Sequence, residues 1–153
     1  MKNNGQNLLY RLMIGCIYLV IGSLIALLAI YLQSNFLQHL YTVSLLSILL
    51  AFTAISFAMY SFIANKLIDL NSQFPNKFVN TGKELFFALK TEVFLLGILV
   101  LLLIGYDSPV LLHIWRYFNL LIGSCINAVI ICFIHILYDL GKTTYYIYLY
   151  IRS

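Results

Sequence analysis

One carboxylate in this sequence stands in an unusual place. The run from Phe86 to Gly105 reads FFALKTEVFLLGILVLLLIG, and it carries Lys90 and Glu92 inside an otherwise apolar stretch. At about 100° per residue, Lys90 shares one side of a helix with Lys83, while Glu92 lies on another side with Glu84, Ala88 and Thr91. A lysine so placed reaches lipid phosphates along its four-carbon stem. A glutamate is too short to do the same. Glu92 must therefore face protein, a wet cavity or a partner, or carry a proton, and an intramembrane carboxylate is a functional candidate by default. The plainer reading is an interfacial glutamate that accepts hydrogen bonds from neighbouring helices.

A second set of polar residues lies in the last apolar run. Gly123, Ser124, Asn127, His135 and Asp139 fall within about 160° of helical arc. His135 and Asp139 are one turn apart. With Glu92, the residues Ser124, Asn127, His135 and Asp139 form a candidate polar path through a membrane. The simpler reading of the same stripe is interhelical glue, each bond contributing about 0.6 kcal/mol. A titratable histidine would make either arrangement pH-sensitive.

The elements that must position these groups follow from composition. The chain has 153 residues, is 63% hydrophobic and only 9% charged, against about 25% charged in soluble domains. That much apolar surface requires lipid as solvent. Four runs approach the ~20 residues a helix needs to cross a bilayer: Leu12–Leu32, Tyr41–Ala64, Phe86–Gly105 and Tyr117–Leu140. The first is too long for the apolar core of a cleaved signal and reads as a retained span. The expected fold is an all-α membrane protein, a single domain of four transmembrane helices in a bundle with both termini cytoplasmic.

Charge supports that orientation. With both ends inside, Lys2, Arg11, Lys66, Lys77, Lys83, Lys90, Lys142 and Arg152 are cytoplasmic and only Arg116 is outside, so eight of the 9 basic residues obey the positive-inside rule. Lys83, Lys90, Trp115, Arg116 and Lys142 are expected at the lipid headgroups. The excess positive charge thus points to phospholipid rather than nucleic acid. Thr81-Gly82-Lys83-Glu84 reads as a capping box that starts the third helix after a cytoplasmic connection at Asn65–Lys83. Ser108-Pro109 reads as the start of the fourth helix and Gly141 as its stop. The tail 141–153, with Tyr146, Tyr148 and Tyr150 alternating with Ile147, Leu149 and Ile151, is expected to continue as an interfacial helix.

Packing surfaces are legible too. In the second run Ser44, Ser47, Ala51, Ala54, Ala58 and Ser61 are spaced 3, 4, 3, 4, 3, a heptad seam of small residues that favours close left-handed crossing. The first run has a comparable edge in Gly15, Gly22, Ala26 and Ala29. These seams are expected to pair the first two helices as an antiparallel hairpin, or else to join copies of the chain. The third run, large and aliphatic almost all round, is expected to face lipid.

The connections leave no room for a soluble catalytic domain, and the sequence has no nucleophile set, phosphate loop or metal-ligand spacing. Cys16, Cys125 and Cys132 sit singly in apolar runs and read as small core residues. No cofactor and no enzymatic activity are expected. Two function classes remain. One is a small oligomeric protein of a bacterial inner membrane that forms a pore or alters permeability, as effectors of bacterial conflict and antiphage defence do. The other is a non-conducting accessory or immunity-type subunit that binds another membrane protein. A pore requires Glu92, Asn127 and His135 to face one aqueous axis. An accessory subunit requires its seams or tail to stay open.

Overall fold

A computed structural model describes residues 4–73, 79–106, 108 and 118–152. Among these residues the chain is helical and has no strand. Helix α1 spans Asn4–Tyr31. A short α2, Phe36–His39, runs through a wide π-helical turn at Leu40–Ser44 into α3, Leu45–Gln73. Helix α4 spans Val79–Tyr106 and α5 spans Phe118–Arg152. Four segments are long and apolar enough to cross a membrane: Met13–Tyr31, Phe36–Asp69, Asn80–Tyr106 and Phe118–Leu149. Large apolar side chains such as Leu24, Leu28, Phe94, Leu101 and Ile104 are exposed along them. That surface suits hydrocarbon and would aggregate in water. Phe94, Leu101 and Ile104 lie in the run expected to face lipid.

The helices overrun the apolar runs. The last has 35 residues, about 52 Å at 1.5 Å per residue, against ~30 Å of hydrocarbon. Helix α4 is already formed at Val79, so Thr81 sits in its first turn and does not cap it. Helix α5 passes through Gly141 without a stop. A C-terminal glycine cap needs a left-handed residue, and no glycine here has positive φ. The tyrosine-rich tail accordingly continues α5: Ile147 is buried while Tyr145, Tyr146 and Tyr148 are exposed. Pro75, Lys77, Pro109, His113, Trp115, Arg116 and Tyr117 lie outside the described residues, and with them the N-cap expected at Ser108-Pro109.

The left-handed residue appears instead after α1. Gln33 has φ 51°. Around it the Ser34 amide donates to the Ala29 carbonyl at 2.9 Å and the Gln33 amide to Ile30 at 3.0 Å, the double closure of a Schellman-type helix end. This frees the chain to turn into α2 within four residues.

Contacts within the chain divide it into two compact units. The first comprises Met1–Leu45 and Ile98–Cys132, and the second Leu46–Gly97 and Phe133–Ser153. In the first, Ala26, Tyr41, Leu45, Leu99, Ile122, Ile126 and Val129 are buried. In the second, Tyr60, Ile63 and Leu67 of α3 pack with Leu140 and Ile147 of α5, and Leu85, Ala88 and Leu89 of α4 close around them.

A non-glycine residue pays a steric penalty of about 1–2 kcal/mol in the left-handed region. Part of it is returned by glycine's greater freedom in the unfolded chain. Gln33→Gly should therefore raise stability by about 0.5–1 kcal/mol, and Gln33→Val should lower it, as read by thermal unfolding in detergent.

Candidate functional site

The first polar node is built on a close approach of α1 to α5. Gly22 is buried, and a Cβ added there would stand 2.5 Å from the Ser124 carbonyl oxygen and 2.9 Å from the Ala128 amide nitrogen. Both are backbone atoms and cannot step aside. Only glycine permits this approach, and it brings the Gly22 carbonyl within reach of the Asn127 side chain. The Asn127 amide donates to Gly22 O at 3.3 Å and its oxygen accepts from the Tyr41 hydroxyl at 2.7 Å. That hydroxyl also lies 3.4 Å from Gly123 O, and the Tyr41 ring meets Tyr106 edge-on at 5.2 Å. Tyr41 sits in the π-helical turn, whose wider winding sets its ring apart from the regular register of α3.

Asn127 is thus bonded to α1 and to the π-helical turn, and it is only 4% exposed. Ser124 donates to the Leu120 carbonyl on its own helix at 2.7 Å. The stripe expected on the fourth span therefore divides. Ser124 and Asn127 are buried and bonded. His135 and Asp139 are exposed, with His135 Nε2 3.2 Å from Asp139 Oδ2. An exposed pair of this kind adds little to stability.

The second node surrounds Glu92, which is 2% exposed. Its polar neighbours come from α3 rather than from α5: the carboxyl interacts with Ser56 and Tyr60, 0% and 4% exposed. All three are deeply buried, and despite this proximity none of Glu92 Oε1 and Oε2, Ser56 Oγ and the Tyr60 hydroxyl oxygen makes a well-formed hydrogen bond. Ser56 and Tyr60 belong to a second heptad row on α3: Leu49, Thr53, Ser56, Tyr60, Ile63 and Leu67, spaced 4, 3, 4, 3, 4, and all buried. This row was present in the sequence beside the small-residue seam. Three polar residues at helical spacing within an apolar helix were the signal that marked it, and the more regular small residues overshadowed them.

The small-residue seam lies on the open side of α3. Ser47, Ala51, Ala54, Ala58 and Ser61 are exposed and Ser44 is half-buried. Bulky residues fill space around a helix better than alanines do, so the bulky row of α3 turned inward. On α1 the small edge is used, with Gly22 and Ala26 buried and Gly15 and Ala29 half-buried, and Gly22 packs against α5. Lys83, Lys90 and Lys142 are exposed. Cys16 is exposed rather than a core residue, and Cys125 and Cys132 are half-buried. Among the described residues no three His, Cys, Asp or Glu side chains gather into a metal cluster. No known protein family, curated protein or solved structure matches the chain.

The Gly22–Asn127–Tyr41 node should respond as one unit. Asn127→Leu and Tyr41→Phe are each expected to destabilise the protein, and their double-mutant cycle in detergent should give a coupling of about 0.6–1.7 kcal/mol. Gly22→Val, which forces α1 from α5, should cost more than either, roughly 1–3 kcal/mol from overpacking plus the lost bond from Asn127.

Proposed function

We propose that this chain is a small membrane subunit that works as a homo-oligomer, with both termini cytoplasmic, and that alters the permeability of a bacterial inner membrane when copies assemble. The observation that carries the reading is the row Ser47, Ala51, Ala54, Ala58 and Ser61, exposed on α3 while the bulky row of the same helix is buried. Helix association in lipid is driven by close packing, which small residues allow, and the alternating 3 and 4 spacing suits a left-handed crossing with a second helix. The distribution of eight basic residues to one supports the orientation.

Local bonding limits where a conduit lies. Asn127 and Ser124 are engaged by their own helices and neighbours. A conduit therefore forms between copies and not along the α5 stripe of one chain. The same engagement of Asn127 favours a second reading, a non-conducting accessory or immunity-type subunit whose exposed seam holds another membrane protein.

Crosslinking separates these readings. In a chain with Cys16, Cys125 and Cys132 replaced by alanine, Ala54→Cys and Ala58→Cys should form disulfide-linked dimers in membranes, whereas Leu101→Cys on the lipid-facing surface of α4 should not. Induced expression of the native chain should depolarise bacteria, read with a potential-sensitive dye, and Ala51→Leu with Ala58→Leu should abolish this at equal insertion. Crosslinking without depolarisation selects an assembled but non-conducting subunit. Absence of both rejects self-association through this row.

A further inference from the structure

We propose that Glu92, Ser56 and Tyr60 form a binding site for one hard monovalent cation of the sodium class. The inference begins with four oxygen atoms. Both carboxylate oxygens of Glu92, the Ser56 hydroxyl and the Tyr60 hydroxyl are buried, and although both hydroxyls lie close enough to act on the carboxyl, none of the four makes a well-formed hydrogen bond. Buried polar atoms are nearly always satisfied. Among the described residues a fifth such atom, Asn119 Oδ1, belongs to the other unit, and these four gather around a single carboxyl.

Ser56 departs from the other buried serine and threonine side chains among the described residues, Thr53 and Ser124. Ser23, Thr42, Thr53, Thr91, Ser124, Thr143 and Thr144 each donate to the carbonyl four residues earlier on their own helix. That bond is open to any serine or threonine in a helix and satisfies the hydroxyl locally. Ser56 does not make it. Its hydroxyl is left free of its own helix, so its oxygen can offer a lone pair to a cation held beside Glu92.

Charge and ligand type narrow the occupant. The donor set is all oxygen, which suits hard cations and not zinc or copper. It holds one carboxylate, so a single positive charge neutralises it, and among the described residues no cluster of three His, Cys, Asp or Glu supplies the charge a divalent ion would need. The protein's own described cations in this unit are turned elsewhere. Lys83 and Lys90 are exposed, Lys66 pairs with Asp69 at 3.4 Å, and Lys142 lies 6.0 Å from the Tyr146 ring centroid. Tyr60 also borders open space. It lines a groove of about 510 Å³ with Phe57, Ser61, Leu85, Phe86 and Leu89, while its hydroxyl oxygen is buried.

The site is independent of self-association, so its test is made on the purified full chain in detergent at pH 8. Chloride salts of choline, potassium, sodium and lithium are exchanged at constant ionic strength. Saturating sodium or lithium should raise Tm by about 5–10 °C over choline, the shift expected near one hundred times the dissociation constant. Glu92→Gln should abolish the shift, and Ser56→Ala or Tyr60→Phe should weaken sodium binding at least tenfold. Should Glu92→Gln fail to fold, the Tyr60→Phe chain and line broadening of the ²³Na resonance, displaced by lithium, give the same answer. A Tm that is equal in all four salts, with no broadening, overturns the proposal and leaves Glu92 as a neutral acid. A sodium shift that survives in Glu92→Gln overturns it as well, because the ion then acts elsewhere.

Discussion

Hydrocarbon offers no hydrogen bonds, so every polar group carried into it must find its partner within the protein. The chain meets this constraint at three levels. Helices satisfy the backbone. Seven serine and threonine hydroxyls return to the preceding turn. Asn127, whose two-sided amide cannot be satisfied by its own helix, draws in a carbonyl from α1 and a hydroxyl from the π-helical turn. That last demand organises the packing around it. An asparagine in this position must have glycine opposite, because any side chain at residue 22 would hold its carbonyl beyond reach. The small residue and the polar residue are two halves of one interaction.

The two rows of α3 show a different balance. Both have the same heptad spacing and either would make a helix interface. Within one chain, the row with the larger side chains buries more area and fills space without gaps, so it packs with Leu140 and Ile147. The alanine and serine row loses that competition. In lipid it lacks a strong penalty for exposure, since tails solvate it as readily as they solvate leucine, and it gains when another backbone approaches closely. The surface that cannot fill a core by itself is the one suited to a second helix.

This competition explains what was legible in the sequence. The apolar runs gave the four spans, because length and composition alone decide whether a helix can cross a membrane. Their ends were harder to place, since polar turns such as Val79–Leu85 and Gly141–Tyr148 continue a helix past the hydrocarbon without any apolar signal. The importance of Glu92, Asn127 and Gly22 was visible in residue type: an acid, an amide and a glycine in apolar surroundings. Their partners were not. Choosing Ser56 and Tyr60 for Glu92, or α5 for Gly22, depends on which face of each helix turns inward, and two faces of α3 carried equally regular patterns. Tyr41 was hidden for another reason. Its placement depends on a π-helical turn, a local change of winding that periodicity at 3.6 residues does not register.

Among the described residues, the buried oxygens left without a well-formed hydrogen bond are concentrated at Glu92, Ser56 and Tyr60, with Asn119 Oδ1 a single further case. Replacing a buried charged or polar group with an apolar side chain of similar volume is often neutral or stabilising, and α4 is otherwise rich in leucine. Packing therefore gives no reason for an acid at this position. Nor does the helix need it, because leucine matches or exceeds glutamate in helix propensity. The two hydroxyls beside it repeat the problem, since alanine and phenylalanine would fill the same space without unsatisfied oxygens. Three independent choices against stability converge on one point in the fold. Proteins break local rules in this concerted way at functional sites, where a bound partner supplies what the chain leaves unsatisfied.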